Sequence, residues 1–135
     1  MKIASRRGFL GLLAAAVPLA TWAWPGIFGQ KKGMFIHHVY FWLKNPGSKE
    51  DKSKLVEGLK KLSKVKTIRS FYISQPAATR REVIDSSYDI SWLVFFDNAP
   101  DQDSYQNDPV HLKFIEECAT LWQKVLVYDS VDVNP

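Results

Sequence analysis

The sequence predicts an α+β domain in the order β-α-β-β-α-β that pairs with a second copy of itself. Three observations carry that prediction. Apolar residues fall in strand-like runs over 34–43, 67–74, 88–97 and 125–133, and segments with helical spacing or helix-start signals join the first run to the second and the third to the fourth. The third run is apolar on both faces, with Ile90, Trp92, Val94 and Phe96 on one and Leu93 and Phe95 on the other. At 135 residues the chain makes one domain and little more. A sheet apolar on both sides needs one cover from its own helices and a second from elsewhere.

Each element has its local reason. Residues 34–43 are β-branched and aromatic and read as the first strand. Asn45-Pro46-Gly47 is a turn. Ser48, with Asp51 three residues on, resembles a capping box and opens a helix. Its apolar positions are Leu55, Val56, Leu59 and Leu62, and Lys52, Lys60, Lys61 and Lys64 form a solvated face. Residues 67–74 alternate as the second strand, 75–87 form a long polar loop, and 88–97 form the third strand. A short helix follows over 99–106. Asp108-Pro109 supplies an N-cap and a proline at the first helical position, so another helix starts there and is expected to run to about Trp122. Residues 125–133 close the domain as the last strand. This order is the ferredoxin-like split βαβ arrangement, whose sheet is open on one face. Two copies placed face to face close into a dimeric α/β barrel, so a homodimer is expected.

The overall charge of +4 is misleading about partners. Residues 1–23 carry Lys2, Arg6 and Arg7 and no acid, and Lys31 and Lys32 follow. Residues 34–135 hold 13 basic and 14 acidic side chains, a net of −1. A nucleic-acid footprint needs Lys and Arg gathered on the folded part, so that partner class is excluded. The one cysteine, Cys118, excludes an internal disulfide and a cysteine-based zinc site.

Residues 1–23 read as a leader. A short basic region precedes an apolar run over 9–23 that is broken by Pro18, too short for a membrane span of about 20 apolar residues. Ser5-Arg6-Arg7-Gly8-Phe9-Leu10-Gly11 resembles the twin-arginine export signal, with Arg6 and Arg7 as its pair. The protein is therefore expected in the periplasm or outside the cell, touching a membrane only if the leader stays uncleaved. Residues 24–33, rich in Gly and Pro, read as a linker, and 34–133 as the domain.

Four segments carry a family resemblance: His37-His38-Val39-Tyr40-Phe41-Trp42-Leu43-Lys44; Tyr88-Asp89 opening a strand that ends in Phe96-Asp97; Tyr105-Gln106-Asn107-Asp108-Pro109-Val110-His111-Leu112-Lys113-Phe114; and Val125-Leu126-Val127-Tyr128-Asp129. In this order they resemble the stress-responsive α/β-barrel, or Dabb, family over about residues 34–133. The resemblance implies a dimeric α+β barrel. The family is functionally mixed. Its enzymatic members include polyketide cyclases that use a Tyr and a His and no cofactor, and those residues map to Tyr105 and His111.

The residues themselves support such chemistry. His111 lies in the first turn of its helix, where the dipole disfavours imidazolium. A neutral imidazole suits a general base. Tyr105 can donate to a substrate oxygen that becomes negative. His37 shares a strand face with Val39 and Phe41, which with Trp92 and Trp122 would wall a pocket for a small apolar or aromatic molecule. His38 points to the opposite face. Each candidate also has a purely structural reading: His111 can bond a backbone carbonyl, Tyr105 can plug the sheet's end, and the tryptophans can be core. A metal site built from His37, His111 and Asp129 lacks any short His-x-His element and is not expected. Three functions remain: a small-molecule binder, a cofactor-free cyclase, isomerase or lyase, and a structural or partner-binding dimer.

Overall fold

A computed structural model of the protein describes residues 33–133. The leader with Arg6 and Arg7, and all of the linker except Gly33, lie outside the described residues. The elements are β1 (Phe35–Leu43), α1 (Lys49–Leu62), β2 (Ser70–Ser74), β3 (Ile90–Phe96), α2 (Ala99–Asn107), α3 (Pro109–Cys118), a 3-10 turn over Ala119–Leu121, and β4 (Trp122–Val131). The strands form one antiparallel sheet in the order β2-β3-β1-β4. This is the α+β, ferredoxin-like fold that the sequence predicts.

The caps behave as their chemistry requires. Ser48 accepts a hydrogen bond from the Asp51 backbone N–H at 3.2 Å, opening α1. The box is only half closed, because the Asp51 carboxylate accepts from the Asn45 amide while the Ser48 N–H bonds the Asn45 carbonyl. Two boundaries differ from expectation by the most. Residues 67–69 precede the second strand instead of opening it, and Ile68 donates back to the Val65 carbonyl in a turn. The last helix stops at Cys118, four residues short. There the chain tightens into the 3-10 turn and the Lys44 N–H bonds the Leu121 carbonyl, drawing the chain alongside β1. Trp122 therefore opens β4 and does not end a helix.

Alternation along the strands sorts the sheet into two faces. Val39, Phe41 and Leu43 of β1 and Ile90, Trp92, Val94 and Phe96 of β3 are buried against Leu55, Leu59 and Leu62 of α1 and Phe114 and Cys118 of α3. The α1–α3 seam is close. A Cβ on Gly58 would sit 2.5 Å from the Cys118 sulfur and 3.3 Å from the Phe114 ring. The other face carries His38, Tyr40, Trp42, Leu93, Phe95, Leu126 and Tyr128. None of these seven is fully buried, and Tyr128 is 61% exposed. β4 is exposed along most of its length.

Candidate functional site

Strand register assembles the floor of the site. On the helix-side face, β1 presents His37, Val39 and Phe41. Trp92 of β3 lies opposite Val39, and Val125, Val127 and Asp129 of β4 lie opposite Phe41, Val39 and His37. The junction of α2 and α3 supplies the roof. Asp108 ends α2 with its N–H on the Tyr105 carbonyl and starts α3 with its carboxylate on the Val110 N–H at 2.8 Å. One residue thus closes one helix and opens the next. Tyr105 in the last turn of α2 and His111 in the first turn of α3 then meet with ring centroids 4.7 Å apart.

Between floor and roof lies a cavity of about 190 Å³. Every residue proposed from the sequence for catalysis or ligand contact lines it: His37, Tyr105 and His111, with Val39, Phe41, Trp92 and Trp122. Its far wall is an aromatic trio, with Phe41 and Phe114 each about the Trp122 ring at 5.0 and 5.9 Å. Leu62, Gln106, Phe114, Ile115, Val125 and Val127 complete the lining. Sequence reasoning did not place these in the pocket. Alternation alone could have found Val125 and Val127, which share a strand face with Asp129.

The polar groups have distinct environments. His37 is 5% exposed, and its Nδ1 lies 2.6 Å from Asp129 Oδ1. A carboxylate only accepts, so Nδ1 donates, and in the neutral ring Nε2 keeps its lone pair. Asp129 entered the sequence reading as the end of the last family-like segment and as a ligand in a metal site that was not expected. Its role as partner to His37 depends on the β1–β4 register, which no motif shows. Tyr105 is 1% exposed and accepts from the Trp92 indole N–H at 3.1 Å. Burial pushes the phenol well above its ordinary pKa, against the weaker pull of that hydrogen bond, so Tyr105 stays protonated. No acceptor for its own hydrogen is found among the described residues.

His111 is held below its ordinary pKa, first by burial and then by the charge of His37. The Gln106 carbonyl and Asp108 pull the other way. Its Nδ1 is buried with no hydrogen-bond partner among the described residues. Such an orphan is uncommon in a finished core. Among the described residues, no group of three His, Cys, Asp or Glu side chains is placed to hold a metal ion.

The opposite face of the sheet has its own groove of about 270 Å³, lined by Tyr40, Trp42, Asp85, Tyr88, Leu126 and Tyr128. There the Tyr40 hydroxyl and His38 Nδ1 are 3.0 Å apart, and Tyr40 meets Tyr88 and Tyr128 edge to face at 4.9 and 6.0 Å.

Comparison with known proteins locates the chain. The family model described as Stress responsive A/B Barrel Domain matches residues 35–132. No curated protein matches the chain. A Dabb family protein with a ferredoxin-like fold from Mesorhizobium loti is 23% identical, covering 76% of this chain and 100% of its own, with a TM-score of 0.64. The hydroxynitrile lyase from Passiflora edulis is 13% identical over 76% of this chain and 96% of its own, with a TM-score of 0.65. A dimeric ferredoxin-like protein from Thermobifida fusca is 16% identical over 74% and 92%, with a TM-score of 0.60. At these identities the likeness is one of fold.

Proposed function

The chain belongs to the stress-responsive A/B barrel family, and from that premise we propose that it binds a small, mostly apolar carbonyl compound in the sheet–helix cavity and moves a proton on it with its own side chains. The observation that carries this reading is the convergence of His37, Tyr105 and His111 on one otherwise apolar cavity. In the proposed step, a base takes the proton from the carbon beside the carbonyl. The electron pair moves onto the carbonyl oxygen, and Tyr105 donates a hydrogen bond to the resulting enolate. Where the compound holds a second carbonyl, the enolate carbon attacks it. The new alkoxide then recovers the proton from the imidazolium, so the ring closes with no net oxidation.

Sequence reasoning gave the base role to His111. The Asp129 carboxylate favours His37 instead. A base becomes charged as it works, and a carboxylate at 2.6 Å stabilises the imidazolium and fixes the ring's tautomer. Burial and the helix N-terminus disfavour charge on His111, which suits a neutral partner beside Tyr105. A hydroxynitrile lyase shares the fold, although fold alone assigns no activity.

A screen of small β-keto compounds tests the reading, run on wild type, His37→Ala and His111→Ala. Loss of turnover in the variants supports it, and equal turnover in all three would sink it. The mostly apolar lining also favours ligand binding without turnover, which predicts saturable binding and no product.

Two further parts of the proposal lie outside the cavity. The chain is exported by the twin-arginine route. Replacing Arg6 and Arg7 with Lys should hold it in the cytoplasm, and undiminished export would refute this. It also works as a homodimer closed over the aromatic sheet face, as the dimeric ferredoxin-like relatives suggest. Sedimentation at micromolar concentration should give twice the monomer mass, and a clean monomer contradicts it.

A further inference from the structure

The centre of the cavity floor holds a fully buried side chain with a polar atom. On the helix-side face of β3, Trp92 stands between Ile90 and Val94 in the buried core. An indole placed there brings a donor that must be satisfied out of water. Its partner is Tyr105: the Trp92 Nε1–H reaches the phenol oxygen at 3.1 Å, and both side chains are 1% exposed. The indole is itself held, with the Phe71 ring 5.2 Å away on β2.

A phenol oxygen donates one hydrogen and accepts others. Its O–H bond lies close to the ring plane, which leaves two orientations. A donor fixed on one side of the oxygen repels the hydrogen from that side and leaves the other. Tyr105 is flanked by His111 at 4.7 Å and His37 at 5.9 Å between ring centroids, on the cavity they share. No protein acceptor for its hydrogen is found among the described residues.

We infer that Trp92 is a positioning residue: its indole N–H sets the direction of the Tyr105 hydroxyl, so that the hydroxyl hydrogen is offered to an acceptor oxygen on the bound molecule. This deepens, and rests on, the proposed binding of a carbonyl compound. It also bears on what that compound presents to the pocket. An apolar cavity of about 150 Å³ accepts benzene, so about 190 Å³ suits one ring bearing a short carbonyl group.

The test uses benzaldehyde and toluene, which share a shape and differ in the acceptor oxygen. Dissociation constants are measured for wild type, Tyr105→Phe, Trp92→Phe, and a protein carrying a benzothiophene isostere of the Trp92 indole, which removes the N–H and keeps the bulk. Wild type should prefer benzaldehyde by about tenfold, the scale of one hydrogen bond. Tyr105→Phe should abolish the preference. The isostere should cut it by about threefold or more while toluene affinity stays within about twofold. Trp92→Phe should cut it as well.

An unchanged preference in the isostere overturns the positioning role, as does equal weakening of both ligands, which marks Trp92 as a wall only. Failure of wild type to bind either ligand overturns the cavity reading above, and the positioning role with it. A ligand-free measurement separates these failures. In the amide and indole proton–nitrogen spectrum, Tyr105→Phe should shift the Trp92 indole signal upfield more than any other indole signal. No shift refutes the hydrogen bond whatever the cavity binds.

Discussion

His37 and His38 are neighbours in sequence and opposites in structure. Strand alternation sends His37 under the helices, where its partner comes from another strand, 92 residues away. His38 faces out, and its partner is Tyr40, two residues along the same strand. The contrast holds for each face as a whole. On the covered face, polar atoms are matched across elements: His37 by β4 and Trp92 by α2. On the bare face, tyrosines pack on one another and on His38. Leaving a polar group buried and unmatched costs about 1–3 kcal/mol, so long-range pairing under the helices is selected or the group is lost. The bare face carries no such demand within a single protomer. The unmatched Nδ1 of His111 on the covered side therefore stands out more than anything on the aromatic face.

The largest expected effect separates the two histidines. His37→Ala should lower turnover of an active β-keto compound by about 10²–10⁴-fold, the range for removing a positioned base. His38→Ala should leave it within about twofold. Equal losses would mean that the comparison is wrong and that the bare face takes part in the chemistry. The next effect breaks the other face. Tyr128→Lys puts a charge into the middle of the proposed contact and should weaken the dimer by about 30-fold, as for an interface residue worth about 2 kcal/mol. Unchanged self-association in sedimentation would remove that face as the interface.

The same contrast explains how much of this protein was legible in its sequence. Local signals were read correctly: Ser48 and Asp108 as helix starts, and the inward faces of β1 and β3. Trp122 was misplaced because Phe114, Cys118 and Trp122 keep helical spacing even after the chain has turned into β4. Seven of the cavity's residues were named individually, yet their pairings were not. His37 with Asp129 depends on the register between the first and last strands, and Trp92 with Tyr105 depends on how α2 settles on β3. One sequence shows periodicity within an element. It does not show which residue of a distant element lies opposite.

A smaller effect tests the lid over the covered face. Gly58→Ala adds a methyl group 2.5 Å from the Cys118 sulfur. Overpacking of this kind costs about 1–3 kcal/mol, partly offset by the roughly 1 kcal/mol that alanine gains over glycine within a helix. Urea unfolding should therefore show a net loss of up to about 2 kcal/mol. Because the strain falls on α3, which carries His111, ligand affinity in the cavity should fall too, while self-association through the bare face stays as it was. A variant about 1 kcal/mol more stable than wild type, the full helix gain, would mean that the seam can open at no cost.

The smallest effect concerns pH and sets the two faces against each other through His111 and His38. Both are held below the ordinary value of 6.5, chiefly by burial and also by the charge of His37. For a depressed histidine the unfolded chain takes up a proton before the folded one does. Folding stability is then fully present above pH 6.5 and is lost as pH falls through the lower, folded value. Unfolding midpoints in urea should thus fall below pH 6.5, and His111→Gln and His38→Gln should each flatten that decline. The two contributions should differ in their dependence on protein concentration. His111 is half-buried by its own protomer, so the difference between wild type and His111→Gln should be the same in dilute and concentrated samples. His38 lies on the face that a second copy would cover, so its contribution should grow as the dimer fills. A His38 contribution that ignores concentration would place that residue outside the interface. One for His111 that follows concentration would mean that the partner also closes the cavity.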